Sequence, residues 1–230
     1  MPTAVQTKSG LTGNQLKIIA MIAMTCDHVG LQLLPQFGLL RIIGRLALPI
    51  YAYMIAEGCR HTHDRKKYLL RMAGLALMCQ IVYFVAMDSL YQCILVTFSL
   101  SICLIYAIDH AQKRRDIPSK LLALGALAAA GFLCFALPLV LNSTDFAIDY
   151  GIMGVLLPVL VYFGNDGQKY LMAGLILLGL SYGGNQWWAL AAVPLLGMYN
   201  GQRGTANMGK LFYLYYPLHL VAIYGLSLIL

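Results

Sequence analysis

The chain has 230 residues, of which 60% are hydrophobic and only 11% charged, at a mean hydropathy of +0.72, a mixture that excludes a soluble globular domain. Its formal net charge is +7, yet most of the 16 Lys and Arg sit in short loops between apolar runs, which points to membrane topology and anionic lipid and away from nucleic acid. The six cysteines fall in or beside apolar runs with no CxxC and no zinc spacing, so they read as small buried hydrophobes.

A membrane span needs about 20 mostly apolar residues. Nine runs qualify to different degrees. The first, Leu16 to Leu34, is interrupted by Asp27-His28 and has no small-residue cleavage site after it, so it reads as a retained span and not a removable signal peptide. Next come Leu39 to Cys59, Tyr68 to Met87, Tyr91 to Ile108 and Lys120 to Leu141. The sixth to eighth, Gly151 to Phe163, Tyr170 to Tyr182 and Trp187 to Tyr199, are short and Gly-rich, and Leu211 to Leu230 is the last. Residues 1–15 form a short N-terminal segment and 16–230 a single helical bundle, with no internal repeat or long linker.

Loop charge orients the bundle, because Lys and Arg resist translocation. Lys8 and Lys17, the Arg60 to Lys67 loop, Lys113 to Arg115, Lys169, and Arg203 with Lys210 fall on alternate sides from four loops that contain no Lys or Arg: 35–38, 88–90, 142–150 and 183–185. The expectation is an all-α polytopic membrane protein with nine spans, its N-terminus in the cytoplasm and its C-terminus outside, in the cell (inner) membrane.

Polar side chains at membrane depth are costly and therefore mark candidate sites. Asp27 and His28 lie about two-thirds of the way along the first span. An imidazole there can act as a general base, although neighbours i and i+1 point about 100° apart on a helix. Arg41 and Arg45 share one face of the second span, and the short turn before them brings that face towards Asp27 and His28. They read either as a salt bridge that holds two helices together or as a stabiliser of developing negative charge. Glu57 sits near the other end of that span, before a basic loop whose His61 and His63 lack a third metal ligand of suitable spacing. In the last span Tyr213, Tyr216 and His219 recur at i, i+3, and Pro217 should bend the helix.

Taken together, these segments resemble the TraX family of conjugal-transfer proteins, whose namesake acetylates pilin. The resemblance runs from about Leu16 to Leu220. It rests on Asp27-His28-Val29-Gly30, Gly44-Arg45-Leu46-Ala47-Leu48-Pro49-Ile50, Ala56-Glu57-Gly58, His61-Thr62 and Tyr68-Leu69-Leu70-Arg71-Met72. Further along it includes Asp149-Tyr150-Gly151, Tyr199 to Gly204, and Phe212 to Leu220 with its Tyr216-Pro217-Leu218-His219. The family in turn is similar to the acyltransferase-3-like membrane enzymes, many of which place a basic residue before a first-span catalytic histidine. Lys17 stands ten intervening residues before His28, with Lys where those enzymes carry Arg, and a helix would separate the two by about 16 Å.

The resemblance implies an integral membrane acyltransferase that moves an acetyl group from cytosolic acetyl-CoA to an extracytoplasmic acceptor, a peptide N-terminus or a glycan hydroxyl. His28, with Asp27, would supply the base, and Arg41 and Arg45 the charge stabilisation. Lys17, Arg71, Arg203, Tyr216 and His219 would contact acetyl-CoA, with no metal involved. Anionic lipid is the expected surrounding partner, and a homo-oligomer is compatible with this reading. A small proton-coupled transporter using Asp27, His28, Glu57 and His219 is one rival. A non-catalytic assembly subunit of a conjugation or secretion apparatus is another.

Overall fold

The computed structural model describes residues 9–206 and 208–229; residues 1–8 with Lys8, Asn207 and Leu230 lie outside the described residues, so most of the expected N-terminal segment does too. Among the described residues the fold is all-helical, with only two isolated bridge pairs and no strand. Helix α1 (Gly13–Gln32) starts three residues before the apolar run, because Thr12 and Gln15 close a capping box that satisfies its first amides. The second run is divided into α2 (Gly38–Gly44) and α3 (Ala47–His61) by a turn at Arg45-Leu46.

Helices α4 (Arg65–Met87), α5 (Ile94–Arg114) and α6 (Ile117–Gly131) follow, and α6 continues through a π-turn (Phe132–Ala136) into α7 (Leu137–Val140). The π-turn lies just before Pro138, whose missing amide proton cannot maintain the i→i−4 ladder. Helices α8 (Gly151–Phe163) and α9 (Gly167–Tyr182) are short. The eighth run is a 3₁₀ helix (Gly184–Ala191) that passes into α10 (Ala192–Gly197), and α11 (Gly209–Ser227) closes the chain.

Each of the nine apolar runs is thus helical, and four stretches, two of them carrying an interruption, are long and apolar enough to cross a membrane: Gly38–His61, Arg65–Val85, Ile94–Arg114 and Ile117–Val140. The remaining runs fall short for visible reasons. Helix α1 has 20 residues but carries Lys17, Asp27 and His28, while α8 has 13 and reaches only about 20 Å.

The core is built from α1, α3, α5, α8 and α9, where Leu16, Ile50, Ile102, Val155, Val161 and Leu171 are fully buried. Helices α4 and α6, with the π-turn after α6, turn Leu70, Ile81, Val85, Leu121, Leu124 and Phe135 outward. Apolar side chains on the outside as well as the inside are the pattern of a bundle solvated by lipid.

Two sets of tertiary contacts separate the ends of the bundle. At one end Arg60 donates to the carbonyls of Val161 (2.5 Å) and Tyr162 (2.9 Å), and Arg65 and Lys113 share Asp109 at 2.6 and 2.8 Å. There too the Gly13 amide donates to the Gln202 carbonyl at 2.8 Å. At the other end Ser89 donates to Asp145 at 2.5 Å, and Gln92 exchanges backbone bonds with Ala147 and Asp149. The basic loops are therefore gathered on one face and the loops free of Lys and Arg on the opposite one.

Candidate functional site

Asp27 and His28 diverge from α1 as helix geometry requires. The Asp27 carboxylate pairs with Arg41 at 2.8 Å and with Arg45, and Arg41 also donates to the Asp27 carbonyl at 3.2 Å. Gly44 makes this approach possible, since a Cβ there would overlap the Asp27 carboxylate. All three nitrogens of the Arg45 guanidinium are engaged: Nε with the Arg41 carbonyl (3.3 Å), Nη1 with the Tyr150 hydroxyl (3.0 Å) and Gln186 Oε1 (3.2 Å), and Nη2 with Asp27. Arg45 thereby ties α1 and α2 to the start of α8 and to the 3₁₀ helix.

Because a guanidinium can only donate, the Gln186 side chain must turn its oxygen to Arg45 and its NH₂ away. That nitrogen is buried and has no partner among the described residues, on a residue that lines a cavity. A buried donor without an acceptor costs about 1–3 kcal/mol.

His28 turns to the other side. Its Nδ1 lies 2.8 Å from Nε2 of His219 on α11, with the rings stacked at 5.0 Å between centroids. The Nδ1 of His219 is 3.1 Å from the Tyr215 carbonyl, Tyr215 stacks on the His219 ring at 5.2 Å, and Tyr216 meets it edge-on at 5.3 Å. The Tyr215 hydroxyl in turn meets that of Thr25, which anchors α11 to α1.

A cavity of about 670 Å³ opens at the end of the bundle that has no basic loops, lined by Asp27, His28, Arg41, Arg45, Tyr150 and Gln186 among others. Asp149 and Tyr91 also face it, joined by a Tyr91 hydroxyl bond to the Asp149 carboxylate at 2.7 Å. Asp149 lies in the loop before α8, and its enclosure by protein pushes its carboxyl up to about 6, against the Tyr91 hydroxyl and Arg45, which favour the anion. Tyr150 holds a left-handed backbone at φ +56°, uncommon for a residue with a side chain, as it turns the chain into α8.

A second cavity of about 900 Å³ opens at the basic end and contains Lys17, Arg71 and Arg203. Among the described residues none of the three is paired with a carboxylate, and Lys17 lies over the Phe212 ring at 5.2 Å. Glu57 shares this cavity but is paired with Arg60 at 2.8 Å. Arg203 is carried by a loop fastened to the start of α1, where the Asn14 amide donates to the Arg203 carbonyl and Asn14 Nδ2 to the Ala206 carbonyl at 2.7 Å. Gly204, at φ +95°, lets this loop pass Thr12 and Asn14, which a Cβ would crowd at 3.1–3.3 Å. Met24, Tyr51, Ile94 and Tyr216 line both cavities.

The structure thus places His28, Asp27, Arg41 and Arg45 together in one cavity, and Lys17, Arg71 and Arg203 together in the other, with Tyr216 on both. His219 lines neither cavity and sits behind His28. Sequence reasoning gave no role to Gln186, Tyr91, Asp149 or Tyr150. Only the Asp149-Tyr150-Gly151 match offered a signal for any of them.

The TraX protein family profile matches residues 12–227. Over 243 aligned residues the chain is 28% identical to the "Probable fimbrial assembly protein FimC, serogroup H1" of Dichelobacter nodosus, covering 91% of this chain and 93% of that protein. A 62-residue stretch is 39% identical to the uncharacterized protein RP591 of Rickettsia prowazekii (strain Madrid E), 27% of this chain and 24% of that one. No solved structure matches. With the family profile spanning nearly all of its length, the chain belongs to the TraX family.

Proposed function

We propose that the protein is an acetyltransferase of the cell (inner) membrane, taking the acetyl group from acetyl-CoA on the cytoplasmic side and delivering it to an acceptor on the other, in the service of pilus assembly or conjugation. The observation that carries this reading is the pair of cavities entering from opposite ends and meeting at four shared residues, with unpaired cations in one and His28 in the other. Acetyl-CoA fits the basic cavity by chemistry: it is a polyanion, and Lys17, Arg71 and Arg203 are cations without a carboxylate partner among the described residues. Lys17 and His28 are eleven residues apart on α1, about 16 Å along the axis, a span that suits a donor with phosphates at one end and a thioester at the other.

In this reading His28 removes the proton from an acceptor hydroxyl or amine as the acceptor attacks the acetyl carbonyl, and the same proton goes to the departing thiolate. The acceptor gains the acetyl group and CoA leaves as the thiol. Arg41, which lines the same cavity and pairs with Asp27 through Nη1, is the cation placed to meet negative charge that develops on the carbonyl oxygen, while Arg45 acts by fixing Gln186, Tyr150 and Asp27 in place. The nine-span topology, N-terminus inside and C-terminus outside, belongs to the same proposal and is supported by the gathering of the basic loops at one end.

The name of the Dichelobacter relative favours a second reading, a non-catalytic assembly subunit. One experiment separates the two. Purified protein incubated with radiolabelled acetyl-CoA should hydrolyse the thioester or label an acceptor, and His28→Ala should lose this by about 10²- to 10⁴-fold while still binding acetyl-CoA. A well-folded protein that neither hydrolyses nor transfers overturns the acetyltransferase reading.

A further inference from the structure

We propose that His219 is a positioning residue that fixes the tautomer of His28, so that the nitrogen left bare on His28 is Nε2; the catalytic consequence rests on the acyl-transfer reading above. The argument runs along a chain of three groups. A carbonyl oxygen only accepts, so the bond of 3.1 Å between His219 Nδ1 and the Tyr215 carbonyl puts the proton of His219 on Nδ1. A neutral His219 then has no proton on Nε2, and that atom lies 2.8 Å from His28 Nδ1. The bond between the rings therefore needs the proton of His28 on Nδ1. His28 Nε2 is left with its lone pair, on a side chain that lines the cavity with Gln186 and Arg45.

The surroundings hold this arrangement in place. His219 is only 7% exposed, stacked on by Tyr215 and met edge-on by Tyr216, so its ring has little freedom to turn. Its anchor is the backbone of its own helix one turn back, which is as rigid as α11 itself. When His28 Nε2 takes a proton, the Nδ1 proton is already directed at an acceptor, so the positive charge spreads over two rings without a change of geometry. This is the task that an orienting acceptor performs for a catalytic imidazole.

The test uses the full-length protein in detergent and three chains: wild type, His219→Gln, which keeps an acceptor within reach of His28, and His219→Leu, which does not. Nitrogen-15 labelling of histidine reads the tautomer directly. His28 should be protonated on Nδ1 in the wild type and in His219→Gln, and should shift towards the Nε2-protonated form in His219→Leu. With acetyl-CoA as donor, His219→Leu should lower kcat by about 10²-fold with little change in KM, and His219→Gln should recover most of it. A wild-type His28 carrying its proton on Nε2 overturns the proposal, as does a Leu variant equal to the Gln variant in both tautomer and kcat. Should the wild type transfer no acetyl group, the acyl-transfer reading fails by itself, and the tautomer measurement still decides the role of His219.

Discussion

Asp27 and His28 are neighbours in the chain with different partners, because the helix points them to different sides of α1. The link from Asp27 to Arg41 and Arg45 was legible in the sequence: an i, i+4 pair of arginines after a short turn has few other places to face. The link from His28 to His219 was not. It joins residues 191 apart, and no local periodicity says that α11 lies against α1. Gly44 shows how closely the first pair of helices is fitted. In an ordinary helix Gly→Ala stabilises by about 1 kcal/mol. Here the added methyl meets the Asp27 carboxylate, and overpacking of this kind costs about 1–3 kcal/mol. Gly44→Ala should therefore lower the apparent melting temperature of the solubilised protein by about 2–8 °C, and a rise would show that α1 and α2 can part without cost.

Asp149 carries a prediction in pH. Its carboxyl is raised from 3.8 to about 6, so the folded state holds the proton more tightly than the unfolded chain. The stability this contributes is fully present below about 3.8 and is lost as pH rises through 6. Asp149→Asn removes the titrating group. Relative to wild type it should gain stability between pH 4 and 6, by at most about 3 kcal/mol, and run parallel above. Melting curves of both chains across that range provide the check, and parallel curves throughout would mean that enclosure does not raise this carboxyl.

At the scale of elements, the sequence showed where the helices are and was less informative about their interruptions. The breaks at Arg45-Leu46 and in the π-turn before Pro138 lie inside apolar runs, and the 3₁₀ helix straddles the start of one, where hydropathy is blind to hydrogen-bond register. The third stretch delivers Gln186, and with Tyr91, Asp149 and Tyr150 it lines the cavity that holds His28 from loops and a 3₁₀ helix, where no periodicity singles a residue out. The junction of α1 with the 199–206 loop is also invisible to local pattern, since its partners are some 190 residues apart. It holds Arg203 beside the basic cavity. Asn14→Ala removes the clamp on Ala206 without touching a cation, so KM for acetyl-CoA should rise about 2- to 10-fold with kcat retained. An unchanged KM would detach the loop from donor binding.

For the whole molecule, alternating loop charge is a simple guide, and the contacts between loops bear on it directly: Arg60 with α8, Arg65 with α5 and Gly13 with the 199–206 loop bring basic segments distant in sequence to one end. If all nine runs cross, topology reporters fused after Leu230 and within the Lys113 to Arg115 loop must give opposite signals. Matching signals would mean that one of the short Gly-rich runs turns back within the bundle.

The thin wall between the cavities has an electrical consequence. If the two cavities open to opposite compartments, as the proposed topology has it, and fill with water, the membrane voltage falls mainly across the layer that holds Met24, Tyr51, Ile94 and Tyr216. An elementary charge crossing 100 mV is worth about 2.3 kcal/mol, and here that drop is compressed into the depth of a few side chains. The wall must then be proton-tight, or the cell would discharge through it. Proteoliposomes loaded with a pH-sensitive dye should hold a gradient with the wild-type chain and lose it rapidly when Tyr51 and Tyr216 are both replaced by Ala. A gradient that survives the double substitution would place the insulating layer elsewhere in the bundle.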